Sequence, residues 1–266
     1  MPRGPLAMLM CLLCAGPVAW SAAERDADDT RHEPNAAGAE TGPLTPDQAL
    51  AGFELEPGYR IEIAAAEPLV QSPLAIAFDE RGRLYVVENR GYPGPLEGAS
   101  GTPPSLGVIA RLEDTDNDGR FDRRTEFAVN LTDPNGVMPW DGGVFVSAAR
   151  DLLYLKDTTG DGIADERRVV LTGFDATRTA QIRFSHPTFG IDNWIYLTGG
   201  LTGGLVTAPE HPDRPPVKFA TSDARFNPFT HAFELTGGKG QYGLTFDDHG
   251  RRFVCSNRHP VMHVVL

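Results

Sequence analysis

The pattern of apolar and polar residues repeats four times along the chain. The segment FDERGRLYVVENRGYP (Phe78 to Pro93) and the segment FDDHGRRFVCSNRHPV (Phe246 to Val261) share seven of sixteen residues. Two degenerate copies lie between them, MPWDGGVFVSAA (Met138 to Ala149) and FGIDNWIYLTGG (Phe189 to Gly200). In each copy a short apolar run precedes a polar turn, and a run of β-branched or aromatic residues follows. This pattern predicts a β-hairpin.

The hairpins recur at the interval of a β-propeller blade. The turn residues are 60, 51 and 57 residues apart, and they are Gly82, Gly142, Asn193 and Gly250. A repeat of this length, built from short strands, indicates propeller blades. We therefore predict an all-β fold, a β-propeller of the six-bladed type that is truncated here to about four blades. The aromatic residues after the turns are expected to pack between neighbouring blades, and they are Tyr85, Phe145, Tyr196 and Phe253.

Composition divides the chain into three parts. Residues 1–23 contain Arg3, an apolar stretch from Leu6 to Val18 and small residues up to Ala23, which is the pattern of a cleaved export signal. Residues 24–50 are polar and charged, so they predict a disordered leader. Residues 51–266 are predicted to form the N-terminal part of a propeller domain.

Two features near the ends of this predicted domain complete its description. The alternation from Tyr59 to Ala64 predicts a first strand, and the chain ends on an apolar run from Val264 to Leu266. An open set of four blades would leave apolar flanks uncovered, because a propeller removes its sheet edges by closing. We therefore expect the chain to be a fragment of a longer protein.

Charge and cysteine content narrow the classes of partner. The formal net charge of −12 argues against nucleic acid and against an anionic membrane surface. After removal of the signal only Cys255 remains, so no intrachain disulfide can form. No later segment is apolar over the length that a membrane span needs. We expect an exported protein, periplasmic or extracellular, that binds a small molecule or a carbohydrate.

Two acidic loops repeat the spacing of a calcium-binding loop. The first has carboxylates at positions 1, 3, 5 and 9 of that pattern, which are Asp114, Asp116, Asp118 and Asp122. The second has carboxylates at positions 1, 5 and 9, which are Asp157, Asp161 and Asp165. Position 12 is Thr125 or Arg168 instead of glutamate, and strands flank both loops, so these are not EF-hands. Either they bind calcium, or their carboxylates accept hydrogen bonds from nearby backbone amides.

Propeller geometry predicts a second polar group, on the face opposite the glycine turns. Residues just before the first strand and just after the second strand of each hairpin share this face, which we call the upper face. We predict His186 as a catalytic base there. The predicted substrate-binding residues are Glu88, Asn89, Arg90, Arg183, Gln241, Asn257 and Arg258. A structural or solvated role is the alternative for the arginines, and burial in the core is the alternative for His186.

Several motifs resemble a known family over roughly residues 50 to 266. GRLYVVENRGYP, DTDNDGRFD, SHPTFGIDNWIYLTGGLTGG, RFNPFT and QYGLTFDDHGRRFVCSNRHP resemble secreted bacterial propellers labelled membrane-bound dehydrogenases. That family is similar to the soluble quinoprotein glucose and sorbosone dehydrogenases, and its longer members carry a cytochrome c domain. The resemblance implies an oxidoreductase that acts on sugars or alcohols, with a cytochrome c as electron acceptor.

The chain departs from the superfamily at its catalytic histidine. Sugar dehydrogenases of this kind have a histidine about seven residues before the aromatic of an F-G-x-D-G-x-L-Y strand, where this chain has Ile182. His186 lies three residues before Phe189, and Asp192-Asn193 replaces the D-G pair. These departures argue against pyrroloquinoline quinone, and the sequence has no C-x-x-C-H motif for haem c. A non-catalytic propeller, stabilised by calcium and binding a polysaccharide or a partner protein, is the alternative function.

Overall fold

The computed structural model describes residues 42–92 and 107–265, and it divides the chain into two units at residues 66 and 67. The predicted signal, residues 1–23, lies outside the described residues, as does the leader up to residue 41. In the first unit a helix, α1, runs over Pro46–Ala51. Thr45 caps it, and Thr45 and Gln48 exchange side-chain to backbone hydrogen bonds. The prediction of disorder up to residue 50 is therefore wrong for this last turn, where a capping box stabilises a helix.

The predicted strand from Tyr59 to Ala64 is also wrong. Residues 59–64 form no strand, and no strand among the described residues pairs with them. Alternation of apolar residues is not sufficient for a strand, because the backbone also needs a neighbouring strand to hydrogen-bond with.

The second unit consists of four antiparallel sheets, as a propeller requires. Blade 1 is β1 (Pro73–Phe78), β2 (Leu84–Asn89), β3 (Gly107–Glu113) and β4 (Arg123–Leu131); blade 2 begins with β5 (Pro134–Trp140), β6 (Gly143–Ala148), β7 (Asp151–Lys156) and β8 (Glu166–Phe174). A 3₁₀ turn over Ala180–Ile182 then leads to β9 (Ser185–Phe189), β10 (Ile195–Thr198), β11 (Gly204–Thr207), β12 (Val217–Phe219), β13 (Ala224–Phe226) and β14 (Phe233–Leu235). Blade 3 is the sheet of β9, β10, β13 and β14. The last sheet, blade 4, is β15 (Leu244–Phe246), β16 (Arg252–Val254) and β17 (Met262–Val264). The all-β propeller fold is thus confirmed.

The four predicted turn residues all adopt left-handed backbone. Their φ angles are +76° at Gly82, +75° at Gly142, +63° at Asn193 and +74° at Gly250. Glycine adopts this region without a steric penalty and asparagine at a small one, which explains the choice of residues. The hairpin turns were correctly predicted.

The aromatic residues after the turns do not all pack between blades. Phe145 of blade 2 meets Phe226 of blade 3 with ring centroids 5.0 Å apart, and Tyr196 meets Phe246 of blade 4 at 5.1 Å. Tyr85 has its ring contact at 5.2 Å with Phe127 of its own blade, inside a core cluster that blade 2 shares. Phe253 is only half-buried and stacks on His263 of its own sheet. The prediction is therefore confirmed for two residues and only partly for Tyr85, and it stays a prediction for Phe253.

The first strand of each blade lies against the first strand of the next. β1 contacts β5, β5 contacts β9, and β9 contacts β15, so these four strands surround the axis. The strands β11 and β12 follow β10 in the chain but join the edge of β8, which extends the blade 2 sheet to six strands. No helix in the described ranges has the length and apolar character needed to cross a membrane.

Candidate functional site

The inner strands of the first three blades begin with the same backbone feature. Ser72, Asp133 and His186 each precede a proline, and their φ angles are +45°, +42° and +60°. Near each of them the pairing with the second strand shifts by one residue, which is a β-bulge. Bulges often re-aim side chains beside functional sites. The three residues therefore occupy equivalent positions where the inner strands start, and we call this region the channel mouth.

His186 is held at the channel mouth by its neighbours on both sides. A Cβ atom on Gly136 would come within 2.8 Å of the His186 backbone nitrogen, so β5 and β9 are in close contact here. On the other side the imidazole meets the edge of the Tyr242 ring, with centroids 5.3 Å apart. Thr188 donates hydrogen bonds to the carbonyls of His186, at 3.0 Å, and Leu244, at 3.4 Å.

The surroundings of His186 favour the neutral form of its imidazole. Its Nδ1 atom is buried and has no hydrogen-bond partner. Burial lowers the pKa of His186 because the charged form loses hydration. A neutral imidazole can accept a proton from a ligand that reaches one of its nitrogens.

Tyr242 brings blade 4 to the same place. Its hydroxyl donates to the Leu74 carbonyl of β1 at 3.0 Å, so this ring spans from blade 4 to blade 1. Burial raises the pKa of Tyr242 to about 12, so the hydroxyl stays protonated and remains a donor. Gln241, the preceding residue, is buried and its Oε1 accepts from the Asn257 amide at 3.2 Å. The predicted residues His186, Gln241 and Asn257 therefore lie in one neighbourhood.

Glu88 and Arg90 have a structural role instead of facing a ligand. The Glu88 carboxylate is fully buried and accepts from Arg90 at 2.6 Å, from Arg124 at 2.7 Å and from the Gln71 amide at 2.9 Å. Arg90 also bonds to Glu126 at 3.2 Å. A buried carboxylate needs such partners to offset its lost hydration. This ion network ties β2 to β4 within blade 1.

The Arg183 side chain likewise bonds to other groups of the protein. Its guanidinium is almost fully buried and donates to Asp133 at 2.8 Å, to the Ala176 carbonyl at 2.8 Å and to the Arg178 carbonyl at 3.1 Å. These bonds use donors that an anionic ligand would need. The structure therefore gives the substrate-binding predictions for Arg90 and Arg183 no support.

The remaining upper-face predictions have mixed outcomes. Asn89 is buried at the end of β2, and its carbonyl accepts from the Tyr92 amide at 3.3 Å. Arg258 is exposed beside Asn257. Its ligand-binding role stays a prediction.

In both acidic loops the carboxylates bond to backbone amides. Asp114 accepts from the amides of Asp118 and Gly119, at 3.2 and 2.9 Å, and Asp157 accepts from Gly160 and Gly162, at 2.6 and 2.7 Å. Asp122 and Asp165 accept from both the backbone amide and the hydroxyl of Thr115 and Thr158, respectively, and the hydroxyl bonds lower their pKa values. Asp116 accepts from the Asp118 amide at 3.4 Å, and Asp161 accepts from Ile163 at 2.9 Å. The Asx-turn alternative therefore describes much of what these aspartates do.

Only the first loop retains a group of carboxylates that could share one cation. One oxygen each from Asp114, Asp116 and Asp118 lies within 4.8 Å of the others. In the second loop Asp157 lies 3.8 Å from the guanidinium of Arg111, which already supplies a positive charge. Both loops lie at the end of the blades that carries the glycine turns, away from His186.

Comparison with known proteins places the chain in a family. A family model described as a domain of unknown function, DUF7133, matches residues 45–266. This chain belongs to the DUF7133 family. No curated protein matches it by sequence.

The solved structures with similar folds have low sequence identity to this DUF7133 chain. The PQQ domain of pyranose dehydrogenase from Coprinopsis cinerea is 15% identical with a TM-score of 0.49, covering 75% of this chain and 48% of that one. A carbohydrate-active enzyme of family AA12 from Trichoderma reesei is 17% identical with a TM-score of 0.49, covering 76% and 51%. A gluconolactonase from Xanthomonas campestris is 15% identical with a TM-score of 0.43, covering 76% and 59%. The DUF7133 chain spans about half the length of the first two.

The arginines predicted to bind a ligand on the upper face do not assemble a site for pyrroloquinoline quinone. This cofactor is a quinone that carries three carboxylates, so its binding requires several cations that are not already paired. Of these three arginines, Arg90 and Arg183 are paired with protein carboxylates, and Arg258 is exposed. No step of the chemistry is therefore assigned to this cofactor.

Sequence reasoning missed Tyr242 and Asp133 at the channel mouth. The serine, aspartate and histidine that precede Pro73, Pro134 and Pro187 are a repeat that could have located Asp133 beside His186. Tyr242 had no such signal, because blade 4 lacks the proline. Its contact with Leu74 joins residues far apart in the chain.

Proposed function

We propose that this DUF7133 chain is a propeller portion of an exported oxidoreductase of the sugar or alcohol dehydrogenase type, with its ligand at the channel mouth. The observation that carries the proposal is the buried His186 Nδ1, which has no hydrogen-bond partner. Because burial lowers the pKa of His186, the imidazole is neutral near pH 7 and can act as a base.

The oxidation requires both this chain and an external acceptor. Oxidation of an alcohol to a carbonyl removes the hydroxyl proton and a hydride from the carbon that bears it. His186 takes the proton, while Gln241 and Asn257 orient the ligand. The hydride, which carries two electrons, passes to a separate acceptor of the quinone class. A cytochrome c, which takes one electron at a time, could then reoxidise that acceptor.

A non-catalytic propeller that binds a carbohydrate or a partner protein is the second candidate. The pairing of Arg90 and Arg183 with protein carboxylates favours it, because two of the three predicted arginines are then not available to an anionic substrate or cofactor. In this case His186 contributes a hydrogen-bond acceptor only.

Turnover measurements on the full chain test the two candidates. A panel of sugars and primary alcohols is offered with dichlorophenolindophenol as acceptor, with and without added pyrroloquinoline quinone. We expect His186→Ala to lower turnover about 100-fold, because it removes the base, and His249→Ala, an exposed histidine at the blade 4 turn, to leave it unchanged. Wild-type protein that binds a panel member but shows no turnover would favour the binding propeller.

We further propose that calcium binds the first acidic loop. The oxygens of Asp114, Asp116 and Asp118 are close enough together to coordinate a cation of this kind. In calorimetric titration with calcium we expect one site, which Asp116→Asn weakens and Asp161→Asn in the second loop leaves intact. Absence of saturable heat at about millimolar calcium, the range of weak extracellular sites, contradicts the proposal.

A further inference from the structure

A groove on the face opposite the channel mouth has the properties of a ligand site. It lies between the lower turns of blades 2 and 3 and has a volume of about 770 Å³. This is within the range of small-molecule pockets. Its walls combine aromatic rings with paired charged groups, and they include Trp140, Tyr154, Arg168, Glu210, Phe229 and His231. We call it the blade 2–3 groove.

An aromatic wall forms one side of the blade 2–3 groove. Trp140, at the end of β5, meets Phe229 edge to face with centroids 5.4 Å apart and Phe189 at 5.2 Å. Phe229 is 72% exposed, although its turn is well fixed, because Asn227 accepts from the Phe229 and Thr230 amides at 3.0 Å. A rigid, exposed aromatic surface is available to stack on the C–H face of a sugar ring.

Hydrogen-bonding groups form the other side of the groove. Arg168 donates to Glu210 at 3.1 Å and lies over the Tyr154 ring at 5.1 Å. The other Glu210 oxygen is 3.4 Å from His231 Nδ1. These residues come from β7, β8 and the turns after β11 and β13, so the insertion that joins β8 brings them together.

His231 supports the Glu210 carboxylate from the protein side. Its side chain is only 10% exposed, and its Nδ1 atom lies 3.4 Å from a Glu210 oxygen. Because this nitrogen is buried, a ligand in the groove meets the Glu210 carboxylate and not the imidazole nitrogen.

The charges in the groove select against an ionic ligand. Arg168 and Glu210 neutralise each other, and the Asp141 carboxylate has Lys156 3.9 Å away. The imidazoles of His211 and His231 and the Glu210 carboxylate do not cluster tightly enough for a metal, since the compact group found among the described residues is Asp114, Asp116 and Asp118. Paired donors and acceptors beside aromatic rings suit neutral hydroxyl groups.

We propose that the blade 2–3 groove binds a neutral saccharide. The rings of Trp140 and Phe229 stack on the sugar, while Arg168 and Glu210, whose side chains are partly exposed, bond to its hydroxyls. This site is separate from the channel mouth and does not depend on the function proposed there.

Calorimetric titration of the full chain tests the groove. The probes are D-glucose, D-galactose and cellobiose, with glucuronate and glucosamine as charged comparators. We expect a neutral probe to bind, and Phe229→Ala to weaken it about tenfold because the stacking surface is lost. Glu210→Gln should weaken it as well. Phe78→Ala, an exposed aromatic before the blade 1 turn, is the matched control and should bind like wild type.

Three results overturn the proposal. The first is no saturable heat with any neutral probe up to about 50 mM, a concentration well above the millimolar range of weak binding. The second is binding of a charged comparator alone, which makes the groove an ion site. The third is sugar binding that Phe229→Ala leaves unchanged and His186→Ala abolishes, which places the sugar at the channel mouth.

Discussion

The polar residues on the upper face fall into two groups. Some have hydrogen-bond or ion-pair partners within the protein, and others do not. Glu88 and Arg183 are almost fully buried and satisfied by side chains or carbonyls distant in the sequence. His186 is different, because its Nδ1 has no partner. The sequence could predict that these residues share a face, but not that Asp133 reaches Arg183, because this pairing depends on contact between the ends of two blades.

Removing the charge of Glu88 should destabilise the protein. Glu88→Gln leaves Arg90 and Arg124 without their buried carboxylate, so we expect the free energy of unfolding to fall by about 3 kcal/mol. Urea unfolding measures the change. Glu126→Gln is the control, since its carboxylate is half-exposed and should contribute less than about 1 kcal/mol. Equal losses in the two variants would contradict a special role for Glu88.

The burial of His186 should make stability depend on pH. Its pKa is lower in the folded than in the unfolded chain, so the unfolded chain binds the proton first as pH falls. The stability is fully present above the ordinary value of about 6.5 and is lost as pH falls from there through the folded pKa. We expect the urea midpoint of wild type to fall more steeply between about pH 7 and about pH 5 than that of His186→Gln. Parallel curves would show that His186 does not cause the dependence, since all other titrating groups are common to both proteins.

At the scale of elements, hairpins were predictable and their neighbours were not. The turn residues follow from φ above zero, which favours glycine and, at a small cost, asparagine. The strand predicted from Tyr59 to Ala64 failed because it has no partner. The hairpin of β11 and β12 was missed because its strands are only four and three residues long. The hairpin docks on β8, a strand about 30 residues earlier in the chain. The blade 2–3 groove, which the hairpin helps to form, depends on the same long-range contact.

The equivalence of the four turns predicts which residue can replace Gly82. Asn193 occupies the same position in blade 3, and a Cβ on Gly82 would meet no atom within 4 Å. We therefore expect Gly82→Asn to change the free energy of unfolding by less than about 1 kcal/mol, and Gly82→Val to lower it by about 2 kcal/mol because a β-branched residue is strained there. Thermal or urea unfolding of both variants measures these changes in stability. A loss for asparagine as large as for valine would mean that side-chain bulk, not backbone strain, limits the turn.

At the scale of the whole molecule, blade 2 connects the described blades. One core cluster joins it to blade 1 through residues such as Tyr85, Val137 and Val144, and a second joins it to blade 3 through Phe145 and Phe226. The β11–β12 hairpin strengthens the second connection, since Val206 and Phe219 belong to that cluster. Because its chain leaves blade 3, pairs with blade 2 and returns, separation of the two blades requires the hairpin to detach from β8. We expect blades 2 and 3 to open as one cooperative unit.

Detaching this hairpin should expose β8 to solvent exchange. A Cβ on Gly204 would come within 2.2 Å of the Gly173 carbonyl and 2.9 Å of Phe174 Cα, so Gly204→Ala cannot keep β11 on the edge of β8. The Asp175 amide at the end of β8 donates to the Gly203 carbonyl of the hairpin at 2.8 Å. We expect hydrogen exchange of this amide to accelerate at least tenfold relative to wild type, while β2 amides in blade 1 exchange as before. Leu205→Ala is the control, because it alters the same hairpin at a side chain that is 58% exposed and creates no clash. Unchanged protection of the Asp175 amide in Gly204→Ala would show that the hairpin does not shield that edge, and the two blades would then open independently.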